Sequence, residues 1–158
     1  LGILLPIVVH QLGSNIGMVL LPMHIPILLC GLIVGSQYGA LAGLIVPLLA
    51  SAFTGSPQFW PIAVSMALEL AAYGFFAGLL SKKFNVFISL IGAMLAGRIV
   101  MGIANAILYG MAGTPLAFSG FISAAFVTAF PGIIIQLVLI PTIVIALKKT
   151  NIYEKVAR

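Results

Sequence analysis

The sequence predicts an all-α membrane protein of six transmembrane helices, several of them short or tilted. Composition is the first observation: 63% of the 158 residues are hydrophobic, 6% are charged and the mean hydropathy is +1.30. A soluble domain has no use for that much apolar surface. Pattern is the second, because unbroken stretches such as "FISLIGAMLAGRIVMGIANAILYGMA" lack the alternation of a membrane β-strand. Length is the third. A helix needs about 20 residues to cross a ~30 Å hydrocarbon layer, so 158 residues hold roughly six spans with tight loops, read as a single integral membrane domain over 1–158.

Polar breaks divide the chain into segments near 1–13, 24–36, 38–53, 60–81, 85–112 and 118–147. The first starts at Leu1 inside an apolar run, and the natural start is expected upstream. The second and third are short for full spans and are joined by "GSQYG", with a break expected near Gln37, so a tilted or broken pair is expected. Segments four and five flank Lys82 and Lys83, and the sixth runs into Lys148, Lys149, Lys155 and Arg158.

The net charge of +5 is therefore gathered at two places rather than spread over a nucleic-acid-binding surface. By the positive-inside rule both places are cytoplasmic. Both termini then lie inside, and the loops near 14–23, 54–59 and 113–117 lie outside. Those outer loops are rich in Gly, Pro and Ser, and Trp60 stands where an interfacial anchor belongs. Cys30 is the single cysteine, so no internal disulfide framework exists.

Depth along the helices groups the few polar residues. Glu69 is 13 residues from Lys82 and Arg98 is 15 from Lys83, about 20 Å from one boundary at 1.5 Å per residue. Gln136 is 12 residues from Lys148 and reaches a similar level. An ionisable group at such depth costs about 2.5 to 3.5 kcal/mol on insertion scales, so it faces a partner or a wet cavity. Arg98, Asn105 and Tyr109 share one face of segment five at i, i+7 and i+11, and Tyr73 lies one turn from Glu69. This polar stripe climbs from Arg98 toward the outer loops, as an entry path would. Two roles stay open for Glu69 and Arg98: an ion pair bracing two helices, or contact with a bound molecule. For Gln136 and Tyr109 helix-to-helix hydrogen bonding is the favoured role, with ligand contact beside it.

Several chemistries are poorly supported. His10 and His24 belong to no H-E-x-x-H motif and have no second carboxylate nearby. There is no G-x-S-x-G turn and no Walker-type loop, so neither nucleophilic hydrolysis nor ATP hydrolysis by that route belongs to this chain. No catalytic residue, metal or cofactor is called for. Glycine gives the remaining pattern: Gly31, Gly35, Gly39 and Gly43 recur every fourth residue, Gly74 and Gly78 repeat the spacing, and Ala63, Ala67 and Ala71 line a small-residue face. Such faces either pack helices closely within the chain or dock another membrane protein.

The runs "LPMHIPILLCGLIVGSQYGALAGLIVPLLASAFTGSP", "ALELAAYGFFAGLLSKK", "AGRIVMG" and "FPGIIIQLVLIPTIV" resemble the substrate-binding S components of energy-coupling factor (ECF) transporters over nearly the whole chain. The resemblance implies a prokaryotic cell-membrane subunit that captures a water-soluble vitamin from outside in an outward-facing ligand pocket. A separate energising transmembrane subunit and two cytoplasmic ATPase subunits would then drive its release. It also implies that "PMHIP" forms a lid, giving Met23 and His24 ligand contact and His10 a weaker one. The A-x-x-x-A spacing that such proteins carry on the first helix does not occur in segment one, which leaves the other small-residue faces as docking candidates.

The candidate substrate site is thus Arg98, Glu69, Asn105, His24, Met23, Tyr109 and Gln136. Because Arg98 is the one cation deep in a span, a small carboxylate is the best chemical match. Pantothenate fits, as do folate and other B-vitamin precursors. A different class stays open as well, a structural or assembly subunit of a membrane complex with no ligand of its own.

Overall fold

The structure is a computed structural model that describes residues 23–111, 113, 127 and 129–148. Segment one with His10, the loops near 14–22 and 114–126, and the C-terminal Lys149, Lys155 and Arg158 lie outside the described residues. Five α-helices are described where the sequence predicts six spans: α1 His24–Ile33, α2 Ser36–Thr54, α3 Val64–Leu80, α4 Val86–Met111 and α5 Phe130–Lys148. A short π-helical stretch, Phe59–Ala63, leads into α3. Every regular element among the described residues is helical.

Among the described residues, four stretches are long and apolar enough to cross a membrane, namely α2, Phe59–Leu80, α4 and α5. At 10 residues, α1 is not. The second predicted segment is short because Gly35 ends it. Gly35 adopts φ 125°, a backbone conformation that side-chain-bearing residues rarely reach, and the chain reverses there into α2. The break falls two residues before Gln37.

The glycine spacing proves to be internal packing. Gly39 of α2 sits against Gly31 of α1 and Gly74 of α3, so that a Cβ on Gly39 would lie 2.6 Å from the Gly31 Cα and 2.7 Å from the Gly74 carbonyl oxygen. Only bare backbone fits at that crossing. The Gly31, Gly39, Gly74 and Gly78 face is therefore consumed within the chain and offers nothing to a partner. The break expected near Gln37 falls at Gly35, and of the two roles open to these glycines the seam is packing within the chain.

Side chains then sort by face. Along α4, Ser89, Leu90, Ala93, Met94, Gly97, Arg98, Ala104, Asn105 and Leu108 are buried, while Ile88, Ile91, Leu95, Ile99, Ile103 and Ile107 are exposed. The outer stripe repeats every three or four residues, the helical period. In water it would be an aggregation hazard; in a bilayer, lipid covers it. The core joins Ile27, Leu28, Leu70, Tyr73, Leu90 and Ile140 from four helices, and α5 packs on both α1 and α4. Pro47 and Pro141 sit inside α2 and α5 and are buried, as membrane helices tolerate where neighbours cover the freed backbone.

A cleft of about 480 Å³ lies at the Lys82 end, lined by residues around the α1–α2 reversal together with Gly78, Ser81 and Lys82. None of the predicted site residues lines it. The outward-facing pocket expected at the opposite end is not what this cleft supplies.

Candidate functional site

Glu69 lies in the second turn of α3 and Arg98 in the middle of α4. The two helices run antiparallel and close together here: a Cβ on Gly97 would run into the Tyr73 ring. That lack of a side chain at Gly97 lets the neighbouring Arg98 reach across. Its Nη1 lies 2.8 Å from Glu69 Oε1. The N–H does not point along this line, because Oε1 has no hydrogen-bond partner, so the contact is ionic rather than a directed hydrogen bond. The matched depths in the sequence had placed these two residues within reach, and the structure brings them together.

His24 approaches from α1, with Nε2 3.9 Å from Glu69 Oε2. Its ring also meets Tyr73 edge-on, with centroids 5.2 Å apart. The Tyr73 hydroxyl is within electrostatic reach of both Glu69 and Arg98. Three helices therefore converge on one carboxylate. His24 begins α1 and is 2% exposed, and Met23 beside it is buried in the hydrophobic core. Residues 24–26 of "PMHIP" form the first turn of a helix, so His24 stands on α1, and both it and Met23 lie in the packed interior.

The other candidates follow the α4 and α5 faces. Asn105 is 5% exposed and Gln136 is 1% exposed; Tyr109 is half-buried further along the Arg98 face. Among the described residues no ion pair joins Gln136 or Asn105 to the Glu69–Arg98 pair. Tyr73 is the residue that sequence reasoning undervalued. Its i+4 spacing from Glu69 was visible, but the role of its ring as the wall shared by His24 and Gly97 depends on tertiary packing.

Polar satisfaction separates this cluster from the rest of the interior. The buried hydroxyls are answered locally: Ser65 donates to the Ile62 carbonyl and Ser89 to the Asn85 carbonyl. The larger polar groups are not. Both His24 nitrogens, Arg98 Nε and Nη2, Asn105 Oδ1 and Gln136 Nε2 are buried with no hydrogen-bond partner among the described residues. Arg98 Nη1 donates only to the Met101 sulfur at 3.7 Å, a weak acceptor. Buried polar atoms are nearly always paired, and a cluster of exceptions calls for an explanation.

An apolar bundle with several membrane-spanning helices and one buried, partly unpaired polar cluster defines a multi-pass membrane protein of the kind that binds or moves polar solutes. The family is settled by sequence. The family model described as the ECF transporter, substrate-specific component, matches residues 1–144, so the chain belongs to that family. It is a substrate-binding membrane subunit of an ECF transporter. No curated protein and no solved structure matches the chain.

Proposed function

We propose that this subunit captures a small water-soluble vitamin or precursor bearing a carboxylate, pantothenate being the best match and folate or another B-vitamin the alternatives. One observation carries the reading. Glu69 engages Arg98 at Nη1 only, and the Nε and Nη2 donors of the same guanidinium are buried and unpartnered among the described residues. Those two N–H groups form one planar edge, the geometry that holds a carboxylate bidentately. Glu69, with His24 and Tyr73 behind it, orients that edge. Asn105, Gln136, Tyr109 and Met23 complete the proposed surroundings, and the membrane cost of every unpaired group is relieved when a polar ligand enters.

The ligand enters from the end away from Lys82, which we assign to the outer face on the basis of the clustered lysines. A labelling experiment tests this: in a Cys30→Ala background, cysteines at Ser56 and Lys83 should react with an impermeant reagent from opposite sides. Release is driven by the energising transmembrane subunit and two cytoplasmic ATPase subunits, since this chain has no nucleotide motif of the Walker type.

Mass spectrometry of small molecules that copurify with the detergent-extracted protein tests the substrate class, followed by calorimetric binding of pantothenate and folate. Recovery of a carboxylate whose binding needs Arg98 supports the reading. The 2.8 Å Glu69–Arg98 contact also fits a second reading, in which the pair only braces α3 against α4. Binding unchanged in a folded Arg98→Met, Glu69→Gln double variant would favour that brace.

A further inference from the structure

The carboxylate assigned to Arg98 gives no partner to a second buried group in the same site. Asn105 lies seven residues further along α4 on the same buried face, and its Oδ1 has no hydrogen-bond partner among the described residues. Seven residues are two turns of rise, so their Cα positions lie about 10 Å apart along the helix. The turn between them carries Met101 and Gly102, both half-buried and neither charged. The face therefore reads, in order from the Lys82 side, a cationic donor edge, a neutral stretch and an amide acceptor.

We propose that the site measures its ligand, holding a carboxylate at Arg98 and a hydroxyl or amide N–H about 10 Å away at Asn105. The ligand class is then an elongated monocarboxylate with a neutral middle and a hydrogen-bond donor at its far end, and compact carboxylates are rejected. This rests on the carboxylate reading of Arg98. Asn105 acts as the specificity-determining residue: a molecule too short to reach it leaves the acceptor buried and unpaired, and a site built around a hydrogen bond discriminates strongly against analogues that lack it.

The test uses the full chain in lipid nanodiscs and two probe series of increasing length, ω-hydroxyalkanoates and the plain alkanoates that match them. Binding is read by calorimetry and by the shift in thermal stability. Affinity of the hydroxy series should peak at the chain length that spans about 10 Å, and at that length the hydroxyl should strengthen binding roughly tenfold. Asn105→Leu should abolish the hydroxyl's advantage, so that the two series bind with equal affinity at every length. Binding that depends on Arg98 but shows no optimum of length overturns the ruler and leaves the carboxylate site intact. Equal binding of both series to the chain and to its Arg98→Met, Glu69→Gln variant overturns the carboxylate reading and the ruler with it. Should Asn105→Leu not fold, the length series on the unaltered chain decides alone.

Discussion

On one face of α3, Gly74 meets Gly39 and Gly31 backbone to backbone; on another, Glu69 and Tyr73 meet Arg98 and His24 through side chains. The first contact contains nothing that can rearrange, because helices held together by bare backbone have no rotamers to change. The second contains long side chains with donors and acceptors left over. One helix thus carries a rigid seam and an adjustable polar cluster. A seam of that kind fixes the separation of α1, α2 and α3, so the cluster's geometry is set by backbone and not by its own weak contacts.

The hardest way to break this division is to put a side chain into the seam. Gly39→Val places a β-branched residue where even one Cβ would be 2.6 Å from the Gly31 Cα. Neither backbone can retreat without parting α2 from α1 and α3. We expect a loss above about 4 kcal/mol, the exceptional end of single substitutions, seen as failure to recover monodisperse protein from detergent. Recovery of a normally stable Gly39→Val variant would show that the seam is looser than described.

The polar face should break by a different route. Glu69→Gln removes the only carboxylate beside a buried Arg98 among the described residues, and the uncompensated charge should cost about 3 kcal/mol or more. Adding Arg98→Met should restore much of that loss, since the pair together is worth less than either partner alone costs. A double-mutant cycle in detergent measures the coupling; simple additivity would mean that the two charges do not act on each other.

The same double variant sharpens the comparison further, because stability and binding should part company. With both charges gone the fold persists, held by the seam and by apolar packing. The proposed carboxylate site is lost, however, and affinity for the copurified carboxylate should fall by about 2 kcal/mol, the worth of charge-assisted hydrogen bonds in a partly dry site. Calorimetric titration of the folded variant checks it.

How much of this was legible beforehand follows from the range of the forces involved. Helical period and hydropathy are local, so α3, α4 and the lipid-facing isoleucines of α4 could be read directly. Depth is also local, since it needs only the rise per residue, and it sufficed to match Glu69 with Arg98. What escaped was relational. The spacing of Gly31, Gly39 and Gly74 is the same whether it packs inward or faces a partner, and only the reversal at Gly35 decides it. His24 opens the second predicted segment directly after an outer loop; its place against Glu69 depends on α1 folding back beside α3. The orphaned atoms of Arg98 and Asn105 could not be foreseen at all, because satisfaction of a polar group is a property of its whole surroundings.

Gln136 offers the smallest test and separates two kinds of buried polar group. It is 1% exposed, and its Nε2 has no hydrogen-bond partner among the described residues. A side chain kept for helix-to-helix bonding would be paired, and its loss would weaken the fold. The unpartnered Nε2 is an uncompensated desolvation, and replacing the side chain with an apolar group of similar shape is expected to be neutral or stabilising. Gln136→Leu is therefore expected to raise thermal stability in detergent, by about 1 kcal/mol, while weakening binding of the copurified carboxylate by a similar amount. Opposite signs in the two measurements identify an amide held ready for a ligand. A loss of stability with unchanged binding would instead make Gln136 a strut between α5 and its neighbours, and would move the polar site wholly onto α1, α3 and α4.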